Sequence, residues 1–295
     1  MAATLLPSIG MLGLGNLGLP CAASLLAAGY TVYGYRRGSM ENFSNLGGVP
    51  CASAAKLAGK CDVIIDLLPG VQALEECIWG ERGILAGVRQ GQVMWNLASY
   101  PLDVKQRVAD ALSAKGVAMV EGAVSGPPEM MAKRQASLFI AGDQAVVAGL
   151  QGVIDSVSTS SFYLGGFGAA LKMKIVANLL VAVHNAAAAE ALSLGMKAGI
   201  DGETLHRIIS ASAASSVVFN YKSPKMIKRD FLPASGAFTS LEKHLELARA
   251  LSADVKSGTP LLNVARGYYE HAWTLGREKE DIAALVDWIG AGITG

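Results

Sequence analysis

Two sets of residues in this chain have the types and spacing to do chemistry. The first is Gly13-Leu14-Gly15-Asn16-Leu17-Gly18, a GxGxxG run between the apolar stretch Ser8 to Leu12 and a helical pattern over residues 20–28. In that setting Gly13 permits a tight turn, Gly15 lets a dinucleotide diphosphate approach the backbone, and Gly18 lets helix and strand pack closely. The amides around Asn16 and Leu17, at the helix start, would receive the negative diphosphate. The second set is Lys174 and Asn178, four residues apart in a long apolar stretch. That spacing puts them on one helical face while Lys172 points elsewhere. A polar pair on an otherwise buried helix needs a partner, and either a cleft or a ligand could supply it.

Three further clusters bear on what such a site would hold. Residues 28–35 read as a turn into a second strand, at whose end an NAD site presents an acidic residue to the ribose. This chain presents Arg36 and Arg37 instead. Two guanidiniums suit a 2′-phosphate through charge-assisted contacts, which favours NADP(H). The competing reading leaves one or both arginines covering the sheet edge, with Arg37 doing so while Arg36 binds. Ser125 and Gly126 follow a strand pattern and could grip a carboxylate through neutral donors, or form an ordinary turn. Lys243 and His244 are neighbours on a predicted helix. At least one can turn inward, where a histidine could do acid/base work; the alternative is a charged helix surface.

The elements that must position these residues alternate through the first half. Strand patterns at residues 61–68, 92–97, 117–120 and 137–141 are separated by helical patterns at 72–79 and 102–115, and residues 153–156 with 161–163 close the series. Strands buried on both faces with helices between them predict a mostly parallel sheet. From Gly165 to Gly195 the chain reads as one buried helix joining two domains. Beyond it every pattern is helical: 202–212, 216–227, 239–257, 260–275 and 281–288. Asp201 and Pro260 are suited to starting helices, and Gly258 to the end of one. The fold expected is an α/β Rossmann-type domain over residues 1–164 and an all-α domain over 165–295 that begins with the interdomain helix.

Composition narrows the function classes. A chain of 295 residues, 52% hydrophobic and 17% charged, can bury two cores and has no disordered signature. Its formal net charge of +1 and the lack of a long basic run give no field for nucleic acid. The four cysteines Cys21, Cys51, Cys61 and Cys77 lack CxxC spacing, and no secretory leader is read, so reduced thiols, a cytoplasmic location and no metal are expected. His184, Asn185 and Glu190 interrupt the apolar run of the long helix, which favours a core helix over a membrane span.

Taken together, Gly13 to Gly18, Leu67-Leu68-Pro69-Gly70, Ala123 to Gly126, the Gly165 to Asn178 segment and Glu242 to Ala248 resemble the β-hydroxyacid dehydrogenase family over essentially the whole chain. That family includes 3-hydroxyisobutyrate dehydrogenases, tartronate semialdehyde reductases and glyoxylate/succinic semialdehyde reductases. The resemblance implies a catalytic lysine four residues before an asparagine, matched by Lys174 and Asn178. It implies a serine-glycine substrate loop at Ser125 and Gly126. For the cofactor it implies contacts from Gly13, Gly15, Asn16, Leu17, Gly18, Leu68, Pro69 and Lys243, with Arg37 where NADP(H)-preferring members often carry arginine.

The departures from the family pattern concern the substrate. His244 stands in place of the aspartate of a Lys-Asp pair. Trp95-Asn96-Leu97-Ala98 replaces Asp-Met-Ser-Thr, leaving Asn96 or Ser99 as substitutes. Glu121-Gly122-Ala123 replaces Asp-Ala-Pro, Pro127 a second glycine, and Ala170 a further glycine. The function implied is NADP(H)-dependent hydride transfer between a small carbonyl substrate, a semialdehyde or keto acid, and its hydroxy acid, with lysine acid/base catalysis in a homodimer or homotetramer. Two rival readings are a reductase of a ketone or imine without a carboxylate, and an inactive cofactor-binding interaction protein.

Overall fold

The computed structural model describes residues 6–291 and divides into two compact units, Met1–Lys174 and Ile175–Gly295. The first is an eight-stranded sheet: β1 Ile9–Leu12, β2 Val32–Tyr35, β3 Val49–Pro50, β4 Val63–Asp66, β5 Val93–Asn96, β6 Ala118–Ser125, β7 Ser137–Ala141 and β8 Ser160–Tyr163. The strand order is β3-β2-β1-β4-β5-β6-β7-β8. Every neighbouring pair is parallel except β6 with β7.

The central strands are mostly apolar because both of their faces are covered. Ile9 and Met11 of β1, Val63 and Ile65 of β4, and Trp95 of β5 lie in one core cluster. The alternating residues Leu12, Ile64 and Met94 lie in a second cluster with Leu57, Leu74, Val104 and Val108 from covering helices. This is the period-two alternation of a doubly covered sheet. Gly10 is required on that second face, where an added Cβ would come within 2.4 Å of Leu57 Cδ2.

Several elements differ from expectation. Residues 153–156 are helical, within Gln151–Val157, and only β8 continues the sheet. A short apolar run has no periodicity that separates the two states, and here its buried Val153, Ile154 and Val157 face the core as one side of a helix. The helices Glu41–Asn45, Ala54–Ala58 and Pro128–Ala132 and the two-residue β3 carry too few residues for a periodic signal. β6 runs on to Ser125 because its second half pairs with β7, Ser125 opposite Ser137.

The helix Ala169–Lys197 spans 29 residues without interruption. Its most apolar window has a mean hydropathy of 1.5, enough by length and composition to cross a membrane, but Asn178, Asn185 and Ser193 are buried in it. Contrary to expectation it is not buried all round. Met173, Val176, Leu180 and Leu194 are exposed along it.

The second unit is helical. Asp201 caps Gly202–Ser210 by accepting from Thr204 N–H at 2.9 Å, as expected of an aspartate at that position. Val217–Lys228, Phe238–Asp254 and Pro260–Thr274 follow, and the last apolar segment is a 3₁₀ turn, Ile282–Leu285, continued by Val286–Ile289. The left-handed residue after Phe238–Asp254 is Lys256, with φ 53°, rather than Gly258. Phe238 packs against Tyr269 and Trp288, with ring centroids 5.9 and 5.6 Å away. Asn185 is held by donating to Tyr269 Oη at 2.9 Å and to Ile282 O at 3.0 Å.

Candidate active site

The chain leaves β1 for β2 on one side and later returns to β4 on the other, so the order reverses beside β1. In open α/β sheets ligands bind at such a reversal, beyond the carboxyl ends of the strands. The turn after β1 has the geometry a diphosphate needs. Gly13 has φ +84°, and a Cβ there would lie 2.6 Å from Leu67 O. A Cβ on Gly18 would come within 1.9 Å of Gly13 O, whereas one on Gly15 would meet nothing within 4 Å. Gly13 and Gly18 are therefore demanded by packing, and Gly15 borders open space. Gly15 and Asn16 are exposed, Leu17 is half-buried, and the helix Gly18–Ala27 starts here. This cradle of small residues at a helix start fits a dinucleotide.

Arg36 and Arg37 follow β2 at the same edge, and they are not equivalent. Arg36 Nη1 donates to Leu14 O at 3.0 Å, tying it to the glycine turn. Arg37 extends into solvent and meets Glu76 at 3.4 Å, with side-chain exposures of 72% and 52%. An ion pair that open holds little energy, so Arg37 can exchange Glu76 for another anion.

Beyond β4, Leu67 packs over Gly13, Leu68 is buried and Pro69 is exposed. Beneath them lies a polar network unforeseen in the sequence. Asp66 is fully buried and accepts from Leu68 N–H at 2.9 Å, Asn96 Nδ2 at 2.6 Å and Tyr100 Oη at 3.3 Å. Burial pushes its carboxyl up to about 6, with those hydrogen bonds and Lys105 opposing the rise. The same surroundings push the Tyr100 hydroxyl upward. A signal existed: Asp66 is a carboxylate inside the apolar run Val63 to Leu68. Asn96 has zero exposure and its amide is turned to Asp66, so it supports the loop from below.

Ser125 ends β6 and Gly126 follows with φ +145°, a conformation that favours glycine; both are half-buried. Gly122 is likewise required, since a Cβ would lie 2.7 Å from Trp95 Nε1. Lys174 is half-buried and Asn178 buried on one helical face, while Lys172 is exposed. In the second unit, Lys243 is exposed and His244 half-buried on the helix Phe238–Asp254. Although Lys243 reaches water, neighbouring protein strips part of the solvation from its ammonium and lowers its pKa. The fingerprint turn, both arginines, Leu68 and Pro69, Asn96 and Ser125 thus share one edge of the sheet.

The fold and this edge define a nicotinamide-dependent oxidoreductase, and comparison with known proteins agrees. Residues 8–165 match the model for the NAD binding domain of 6-phosphogluconate dehydrogenase. Residues 168–289 match the model for the NAD-binding region of NADP-dependent 3-hydroxyisobutyrate dehydrogenase. The chain is 32% identical to the L-threonate dehydrogenase of Cupriavidus necator over 95% of both chains. It is 30% identical to the 2-(hydroxymethyl)glutarate dehydrogenase of Eubacterium barkeri, covering 94% of this chain and 93% of that one. A crystal structure of 3-hydroxyisobutyrate dehydrogenase from Salmonella typhimurium superposes with a TM-score of 0.87 at 26% identity, covering 95% of this chain and 99% of that one.

The chain belongs to the family of NAD(P)-binding oxidoreductases that comprises 3-hydroxyisobutyrate dehydrogenases, tartronate semialdehyde reductases and glyoxylate/succinic semialdehyde reductases. It is an NADP(H)-dependent enzyme that interconverts carbonyl compounds and hydroxy acids, as expected from the sequence.

Proposed function

We propose that this enzyme interconverts a short hydroxy acid and its semialdehyde or keto acid, with Lys174 as the proton donor and acceptor. The observation that carries this reading is the pairing of half-buried Lys174 with buried Asn178 on one face of the long helix. NADP(H), when bound, supplies or accepts the hydride at the substrate carbon. In reduction the Lys174 ammonium polarises the carbonyl oxygen and gives it a proton; in oxidation the neutral amine takes the hydroxyl proton. Asn178 holds that oxygen or the lysine without adding charge. The Ser125 hydroxyl and the Gly126 amide receive the substrate carboxylate, and Asn96 steadies the neighbouring loop. His244 lines the substrate side, in place of an anion beside Lys243.

The cofactor contacts proposed are Gly13, Gly15, Asn16, Leu17 and Gly18 at the diphosphate, Arg36 and Arg37 at the 2′-phosphate, and Leu68, Pro69 and Lys243 beside the nicotinamide half. Residues 1–164 would form the cofactor domain and 165–295 the substrate and oligomerisation domain. The exposed apolar stripe of Met173, Val176, Leu180 and Leu194 supports a homodimer or homotetramer. Four unpaired thiols support a cytoplasmic location.

Replacing Lys174 with Ala tests the assignment. NADPH binding by fluorescence titration should persist while turnover falls roughly 100-fold or more; near wild-type turnover overturns it. A panel of L-threonate, 3-hydroxyisobutyrate, 2-(hydroxymethyl)glutarate, glyoxylate and succinic semialdehyde against simple ketones and cyclic imines tests the substrate class. Selective turnover of compounds without a carboxylate overturns the hydroxy-acid reading.

A further inference from the structure

Lys105 and Glu121 have no part in the contacts assigned above, yet both side chains have zero exposure, with Lys105 Nζ 3.2 Å from Glu121 Oε1. A buried ion pair seldom adds net stability, because desolvation offsets the attraction. What the pair holds is therefore the informative point. Glu121 Oε2 accepts from Gly168 N–H at 2.6 Å, and Oε1 accepts from Leu171 N–H at 3.1 Å. The long helix starts at Ala169, so Gly168 is its cap residue and Leu171 its third helical residue. Where the cap residue is Ser, Thr, Asp or Asn, its own side chain can take the amide of the second or third helical residue. Gly168 has no side chain to offer, and its φ of +95° favours glycine. A carboxylate 47 residues away in sequence supplies the cap instead.

The cap is itself clamped. Lys105 Nζ donates to the Glu121 carboxylate and to Gly122 O, at 3.4 Å, so one ammonium holds both the side chain and the adjoining backbone of β6. Burial lowers the Lys105 pKa, and the carboxylates of Glu121 and then Asp66 oppose that fall.

We propose that Glu121 is a positioning residue for Lys174: its carboxylate, clamped by Lys105, sets where the long helix begins and hence the height and rotation at which Lys174 is presented. Lys174 stands three residues, about one turn, beyond the capped amide of Leu171. The proposal rests on the reading of Lys174 as proton donor. Two charge-assisted hydrogen bonds at the first turn are what a neutral side chain cannot reproduce, since an amide offers one acceptor oxygen where the carboxylate offers two.

Two measurements on Glu121→Gln test it. Hydrogen exchange of the peptide spanning residues 166–173, followed by mass spectrometry without substrate, should quicken about tenfold. With NADPH and whichever carbonyl acid of glyoxylate and succinic semialdehyde is turned over faster, kcat should fall roughly tenfold while KM for NADPH stays within about twofold, as expected for a displaced reacting group. A general loss of structure would move both constants. The double variant Lys105→Met with Glu121→Gln removes both charges of this pair together and should show the same fast exchange and low kcat if the single variant does not fold. Unchanged exchange, or fast exchange with wild-type kcat, overturns the proposal. Wild-type turnover in Lys174→Ala overturns the proton-donor reading instead, and the substrate-free exchange tells the two failures apart.

Discussion

Asp66 and Asn96 are register partners on β4 and β5, and Asn96 Nδ2 donates to Asp66 Oδ2 at 2.6 Å with both side chains fully buried. The other amide atom, Asn96 Oδ1, is buried without a hydrogen-bond partner among the described residues. A protonated Asp66 would be a donor for that oxygen once the amide rotates. Burial pushes the Asp66 carboxyl up from 3.8 to about 6.

The first prediction follows from the sign of that shift. The folded-state pKa is raised from 3.8 to about 6, so the native state holds its proton more tightly than the unfolded chain. The stability this contributes is complete below about pH 4 and is lost as pH rises through about 6, by roughly 3 kcal/mol in all. Urea unfolding of the wild type and of Asp66→Asn between pH 4 and 7 should diverge by that amount. Parallel curves would sink the assignment.

Asp281 should behave in the opposite sense. Burial pushes its carboxyl up, but Lys222 Nζ at 2.6 Å and the donors Ala283 N–H and Ser235 outweigh it and hold the pKa below the usual range. Stability from this group is present above about pH 4 and is lost as pH falls below it. Asp281→Asn leaves Lys222 without its carboxylate and should cost about 3–5 kcal/mol at pH 7. Its urea midpoint should also lose part of the wild type's fall between pH 5 and 3. A variant as stable as wild type at pH 7 contradicts this.

The three fingerprint glycines should separate by phenotype. Gly18→Ala meets Gly13 O at 1.9 Å and should lose about 1–3 kcal/mol or more. Gly15→Ala meets nothing within 4 Å and should unfold within about 0.5 kcal/mol of wild type. On the proposed cofactor site its methyl group would enter the space for the diphosphate, so NADPH affinity should fall roughly tenfold, about 1.4 kcal/mol. Fluorescence titration beside thermal melting distinguishes the two. Wild-type affinity in Gly15→Ala means the diphosphate lies elsewhere.

The two arginines should divide cofactor choice from loop integrity. Arg37→Ala removes an exposed guanidinium and should raise KM for NADPH roughly tenfold or more, the worth of a charge-assisted contact of about 1.5–3 kcal/mol, with NADH unaffected. Arg36→Ala also removes the bond to Leu14 O and should weaken both cofactors. Equal losses for NADH and NADPH in Arg37→Ala would show that it does not meet the 2′-phosphate.

Much of the first unit is readable from local pattern because a doubly covered parallel sheet needs apolar strands, and the fingerprint glycines mark where strand passes to helix. The elements that escape such reading are short or borderline. Ala54–Ala58 is five residues long, and Val153 to Ser156 fits a strand or a helix equally well until the neighbouring core selects one. Candidate residues were readable where their type is unusual for the element carrying them, as with Lys174 and Asn178 on an apolar helix. Asn96 is a candidate by its position in a strand pattern, but its orientation toward Asp66 is not legible there. Its partner is 30 residues away, and nothing in the intervening sequence links them.

By itself the sequence determined the order of the longer elements, the glycine turn and the lysine on the long helix, because each depends on residues close along the chain. Tertiary structure alone decided that the helix start at Gly168 is capped by Glu121 and that Glu121 is clamped by Lys105. It also decided that Arg36 braces the glycine turn while Arg37 stays in solvent. A buried charge must find its partners wherever the fold brings them, and strands adjacent in the sheet are distant in the chain.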